Sequence, residues 1–169
     1  LSVGDINNDK LDDVFIGGSS NISGAIYIQK QNGTFSIQEQ PDLIKDKKYE
    51  DTGSSIFDAD NDGDNDLLVV SGGNETPDDP SLYIARLYLN NGKGILNRST
   101  SFPEVRTSGK AIAVGDFDND GWKDIYIGGR VIPGHYGRTP SSFLLKNNKG
   151  IFVDVTSLTP SLQKTGMIT

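Results

Sequence analysis

Residues 111–129 read Ala111-Ile-Ala-Val-Gly115, then Asp116-Phe-Asp118-Asn-Asp120-Gly121-Trp122-Lys-Asp124, then Ile125-Tyr-Ile-Gly-Gly129. The outer pieces are β-branched and aromatic runs ending in glycine, the composition of strands. The acidic nonapeptide between them carries oxygen-bearing side chains at positions 1, 3, 5 and 9. That spacing lets one tight loop wrap several hard oxygens around a cation, as Ca²⁺ requires. The segment is therefore a hairpin whose turn is a candidate cation loop.

The same sentence is written twice more. Asp5-Ile-Asn7-Asn-Asp9-Lys10-Leu11-Asp-Asp13 and Asp58-Ala-Asp60-Asn-Asp62-Gly63-Asp64-Asn-Asp66 have the same phase and the same flanking strands. The three starting Asp residues lie 53 and 58 positions apart. A long fixed period marks a repeat architecture, in which each unit buries its apolar face against the next. A second hairpin follows in every unit. Ala25–Ile28 turns at Asn32-Gly33, Arg86–Leu89 at Asn91-Gly92, and Phe143–Leu145 at Asn147-Asn148. Asn and Gly tolerate the positive φ that tight hairpins need. Two hairpins give four antiparallel strands, the content of one β-propeller blade.

The fold class expected is thus all-β: three four-stranded antiparallel blades, part of a larger propeller. The 169 residues form one array, with blades at about 1–38, 54–98 and 110–155. Inter-blade packing should bury Val3, Phe15, Ile56, Leu68, Ile112, Ile125, Tyr126 and Leu144, or their immediate strand neighbours, because alternation turns one side of each strand inward. Residues 39–53 and 98–109 read as plain linkers, and no amphipathic helix is expected.

Composition agrees. Hydrophobic content is 34% and glycine numbers 20, which suits short strands and many turns rather than a helical bundle. The net charge of −7 argues against nucleic acid, whose phosphates need a basic stripe. Eleven carboxylates occupy ligand positions in the three loops, and three Ca²⁺ would bring −7 to about −1. There is no Cys, hence no disulfide or thiolate metal site. No apolar run is long enough to span a membrane. Both ends read as cut from a longer protein.

The run Val-Gly-Asp-x-Asp-x-Asp-Gly-x-x-Asp-Ile-x-x-Gly-Gly, with Leu87-Tyr-Leu-Asn-Asn-Gly92 after it, resembles the FG-GAP/VCBS repeat of integrin-α-type β-propellers. Ser71-Gly-Gly-Asn-Glu75, Arg106-Thr-Ser-Gly109 and Gly128-Gly-Arg-Val-Ile-Pro133 are similar to extracellular VCBS proteins of Bacteroidetes-type bacteria. The resemblance implies Ca²⁺ in the acidic loop and about seven blades in a closed ring, of which this chain holds three. Lys10 departs from the pattern, standing where glycine is usual.

Two other calcium folds read less well. An EF-hand closes its shell with an acid at position 12, and that position is Ile16, Val69 and Ile127 here. Thrombospondin-type arrays have shorter periods and use Cys. Ordinary Asp/Asn/Gly turns would not recur three times in matched phase. The expected ligands are the side chains of Asp5, Asn7, Asp9 and Asp13, of Asp58, Asp60, Asp62 and Asp66, and of Asp116, Asp118, Asp120 and Asp124. The backbone carbonyls of Leu11, Asp64 and Trp122 complete the shells at position 7. Asp12 and the Asp64 side chain should face water. The first site should be the weakest of up to three, with neutral Asn7 at position 3 and Lys10 at the positive-φ turn.

No nucleophile elbow, phosphate loop or H-E-x-x-H motif occurs. The lone His135 sits in a Gly/Pro-rich insertion with Arg130, Tyr136 and Arg138. The reading is a non-catalytic Ca²⁺-binding module of the cell surface or a secreted protein, with association to a bacterial outer membrane as one such setting. It would bind a protein or glycan partner or serve as scaffolding, with the remaining blades supplied by the same parent chain. The alternative is a fragment of a propeller-fold carbohydrate-active enzyme resembling a polysaccharide lyase, in which the 130–138 loop would grip an anionic sugar.

Overall fold

The computed structural model describes residues 1–168, and in it every acidic nonapeptide joins two antiparallel strands. Sheet one is β1 (Ser2–Gly4), β2 (Asp13–Ile16), β3 (Ala25–Gln29) and β4 (Phe35–Gln38). Sheet two is β5 (Asp51–Phe57), β6 (Asp66–Ser71), β7 (Ala85–Asn90) and β8 (Leu96–Arg98). Sheet three is β9 (Ser108–Gly115), β10 (Asp124–Val131), β11 (Phe143–Asn148) and β12 (Ile151–Asp154). Each sheet is a four-stranded antiparallel meander in sequence order, the topology of a blade. Neighbouring sheets meet through their first strands, β1 against β5 and β5 against β9. The approach is close: a Cβ added to Gly53 would lie 2.1 Å from the Lys110 carbonyl oxygen.

The pleat of β6 shows how one sequence serves two interfaces. Leu67 and Val69 join Ile6, Phe15, Ile26, Leu43, Tyr88 and Leu96 in the core between sheets one and two. Leu68 and Val70 join Phe57, Ala59, Leu87, Ile125, Ile127 and Leu145 on the other side. Successive side chains point to opposite faces, so a strand covered on both faces is continuously apolar. Each such side chain contributes roughly 1.5–3 kcal/mol by burial.

Several expectations need correction. Val3 is 52% exposed, and its place in the first core is taken by the loop residue Ile6. Ile56, Ile112 and Tyr126 are half-buried, and beside Ile56 and Tyr126 the buried residues are the strand neighbours Phe57, Ile125 and Ile127. The third hairpin turns at Lys149-Gly150, both at positive φ, because Asn148 still pairs with Ile151. The segment between sheets one and two is not a plain linker. It forms a short helix, α1 (Pro41–Lys45), entered through a proline, whose fixed φ suits a first turn. Leu43 and Tyr49 are buried there. Gln40 pins the segment to sheet two, donating to the Gly94 carbonyl at 2.7 Å and accepting from Leu96 N–H at 2.9 Å. A second short helix, α2 (Pro160–Gln163), follows sheet three. No helix of the described residues is long and apolar enough to cross a membrane.

Candidate metal loops

The three loops share one wiring. The carboxylate at position 1 accepts from backbone ahead of it: Asp5 from Asp9 and Lys10, Asp58 from Gly63, Asp116 from Asp120 and Gly121. The carboxylate at position 5 accepts from position 7, as Asp9, Asp62 and Asp120 do from Leu11, Asp64 and Trp122. These are turns closed by Asp side chains, which is why Asp recurs at those places. Position 6 has positive φ in all three loops, at Lys10 (69°), Gly63 (94°) and Gly121 (89°). Position 4 does too, at Asn8 (61°), Asn61 (57°) and Asn119 (59°). The invariance of Asn at position 4 across the copies was the available signal, since Asn is the residue after Gly that best tolerates this region.

The closing Asp at position 9 does more than point at the loop. Asp66 accepts from Ala59 N–H at 2.8 Å through one oxygen and from Asn90 N–H at 2.8 Å through the other. Asp13 does the same with Ile6 and Gln29, and Asp124 with Phe117 and Asn147. All three are buried. Each ties its loop to the third strand of its own sheet. Burial pushes the Asp66 carboxyl up to about 7 against those two N–H bonds, and Asp60 and Asp62 add to the rise. Burial also raises Asp13.

Carboxylate oxygens of Asp58, Asp60 and Asp66 lie within 4.8 Å of one another, as do those of Asp116, Asp118 and Asp120. Among the described residues, loop one gathers no such trio. Its Asn7 amide instead donates to Asp9 at 3.1 Å and accepts from Asp9 N–H. In loop two, Asp58 Oδ1 and Asp60 Oδ1 are buried with no hydrogen-bond partner. Asp60 is raised by burial first and then by Asp62. Clustered, desolvated, unpartnered carboxylate oxygens are what a hard cation satisfies, so this donor set fits Ca²⁺. In loop three, Lys146 Nζ pairs with Asp118 Oδ2 and lies 3.2 Å from Asp120 Oδ2. The Trp122 N–H, and then Lys146, hold Asp120 below the usual carboxylate range. Asp12 is exposed as expected. The Asp64 side chain does not simply face water: it accepts from the Asn8 amide of loop one.

The loops are also stitched to one another. Asn61 donates to the Gly121 carbonyl at 3.1 Å, and Asn65 to the Asp5 carbonyl at 2.8 Å. Asn90 donates to the Ile6 carbonyl and Asn147 to the Ala59 carbonyl, both at 2.7 Å. The sequence reading did not assign these roles, and placed a turn at Asn147.

Several charged side chains elsewhere are paired. A cleft of about 570 Å³ is lined by Asp42, Lys45, Asp46, Arg86, Arg98 and Glu104. Arg98 pairs with Asp46 at 2.7 Å, Lys45 with Asp42 at 2.7 Å, Glu104 with Arg106 at 2.5 Å, and buried Arg86 with Asp51. His135, Tyr136 and Arg138 stand exposed on the insertion between β10 and β11, Tyr136 at 84%. That insertion touches the one in sheet two, where Asn74 accepts from Gly134 N–H at 2.9 Å.

Repeated blade-like meanders, each opened by an acidic hairpin loop, define a tandem-repeat β protein. The FG-GAP-like repeat model matches residues 5–69 and 58–127, each window running from one acidic loop through the next. The chain belongs to that family. No curated protein matches it.

Proposed function

We propose that this chain is a non-catalytic, Ca²⁺-stabilised module of an extracellular or cell-surface protein, working as part of a larger propeller that binds a protein or glycan. The observation that carries the calcium reading is the pair of buried, unpartnered oxygens in loop two, Asp58 Oδ1 and Asp60 Oδ1. Asp58, Asp60, Asp62 and Asp66 with the Asp64 carbonyl would hold the ion there. Asp116, Asp118, Asp120 and Asp124 with the Trp122 carbonyl would do so in loop three, and Asp5, Asn7, Asp9, Asp13 and the Leu11 carbonyl in loop one. Bound Ca²⁺ supplies positive charge among carboxylates that otherwise repel, and so supports the fold. The extracellular setting follows from the chemistry, since loops of modest affinity fill where Ca²⁺ is plentiful.

Two contacts support a larger array. Loop residue 2 is fully buried by the next sheet at Ile6 and Ala59, but Phe117 is 51% exposed. Ile168 N–H donates to the Gly129 carbonyl at 2.9 Å, as Asp51, the first residue of sheet two, donates to Gly18 at 3.0 Å. The partner surface we favour is the pair of touching insertions, 72–81 and 129–140.

Calorimetric titration of the chain with Ca²⁺, with thermal melts in Ca²⁺ and in EDTA, tests the reading. Ca²⁺ should stabilise by about 2.7 kcal/mol per site at a hundredfold excess over Kd. Asp60→Ala should remove the binding at loop two. No binding heat and identical melts in Ca²⁺ and EDTA would show the loops to be ordinary acidic turns.

A further inference from the structure

Loops two and three have the same four side-chain ligands in sequence, yet their charged surroundings differ. Within the loop Asp64 and Asn65 are replaced by Trp122 and Lys123, and a further difference comes from a strand. Gln29, Asn90 and Asn147 are equivalent, because each donates its backbone N–H to the closing Asp of its own sheet. The residue before them is Ile28 in sheet one, Leu89 in sheet two and Lys146 in sheet three. Ile28 and Leu89 pack against the inter-sheet cores. Lys146 instead brings its ammonium to Asp118 and Asp120, which stand at ligand positions 3 and 5. Asp116 is satisfied by two backbone N–H groups, from Asp120 and Gly121. Loop two leaves two buried carboxylate oxygens without partners, whereas Asp118 and Asp120 of loop three are exposed and face Lys146.

We propose that Lys146 is a tethered counter-cation for the third loop: it neutralises Asp118 and Asp120 in the metal-free chain, and an incoming Ca²⁺ must displace it. Loop three is therefore the weaker and more readily emptied of the two four-Asp loops, and it keeps its shape without metal. Loop two, with no lysine at the Leu89 position, depends on the ion. The physical reason is that a cation entering loop two gains unpaired carboxylates, whereas one entering loop three first breaks two charge-assisted contacts. This inference rests on the calcium reading of the loops.

Trp122 makes loop three separately observable. It is the only tryptophan, and it occupies position 7 of that loop. Tb³⁺ in the full chain, excited in the tryptophan band, reports that site most strongly, and Ca²⁺ displaces it in competition. Lys146→Met should tighten Ca²⁺ at loop three by about tenfold, since the competing charge is gone. It should also lower the melting temperature in EDTA but not in saturating Ca²⁺. Lys146→Arg, which keeps the charge, should behave like the unaltered chain on both measures. A change of less than about threefold in Lys146→Met, with loop three already as tight as loop two, would overturn the inference while leaving the calcium reading intact. Calorimetry showing no Ca²⁺ uptake by any of the three chains removes the calcium reading itself, and this inference with it.

Discussion

The side-chain amide of Asn147 donates to the main-chain carbonyl of Ala59 at 2.7 Å, across 88 residues of sequence and from one sheet to the loop of the sheet before it. The same amide reaches the Lys123 carbonyl at 3.0 Å, while its oxygen accepts from Gly150 N–H at 2.8 Å. Asn90 repeats the arrangement one unit earlier, reaching Ile6 and Asn65. One buried amide thus fixes a loop, a hairpin and the spacing between two sheets.

Replacing either amide should cost more than a surface contact would. Asn147→Leu leaves the buried Ala59 carbonyl without its donor, at about 1–3 kcal/mol. Urea denaturation should show that loss at Asn147 and at Asn90 alike, and the two sites should combine nearly additively, because they serve different interfaces. A loss below about 0.5 kcal/mol at both would mean water replaces the amide.

The closing Asp residues should matter to the fold even without metal. Asp66→Asn retains one acceptor oxygen, and its new NH₂ faces a backbone N–H, so one of the two clasps at Ala59 or Asn90 is lost. Destabilisation of about 1–3 kcal/mol should persist in EDTA. Asp62→Asn keeps an oxygen to accept from Asp64 N–H but removes the charge of a proposed ligand, so it should instead weaken the chain mainly when Ca²⁺ is present. Denaturation of both variants, with and without Ca²⁺, separates the roles.

Lys10 occupies a backbone conformation that favours glycine, at φ 69°. Lys10→Gly should stabilise the chain by about 1 kcal/mol through relief of that strain, less the entropy glycine loses on folding. Asn61→Ala, at φ 57°, should do the opposite, losing both the tolerated conformation and the bond to Gly121. Melting temperatures of the two variants should move in opposite directions.

Glu50 gives a pH signature. Burial raises its carboxyl first, the neighbouring Glu75 raises it further, and Arg130 pulls the other way. A carboxyl whose folded value lies above its unfolded one holds its proton more tightly in the folded state. That contribution is fully present below the unfolded value of about 4.3 and is lost as pH rises through the folded one. Glu50→Gln should therefore gain stability relative to the parent chain as pH rises from about 4 to 7. Denaturation midpoints across that range check the sign.

The sequence by itself determined the strands and the loops. Alternating β-branched residues, glycine pairs and the repeated acidic nonapeptide are local signals, and they sufficed to place four antiparallel strands in each of the three units. The acidic loops were legible for the same reason: an Asp-closed turn is encoded within nine residues. The tertiary structure decided what each equivalent position faces. Ile6 became core while Val3 stayed at the surface. The polar segment 39–53 became a buried clamp through Gln40, Leu43 and Tyr49. Lys146 came to stand against loop three although 22 residues separate it from the loop's closing Asp124. None of these follows from local propensity, because each depends on which neighbouring sheet or strand covers a residue, and long-range packing sets that.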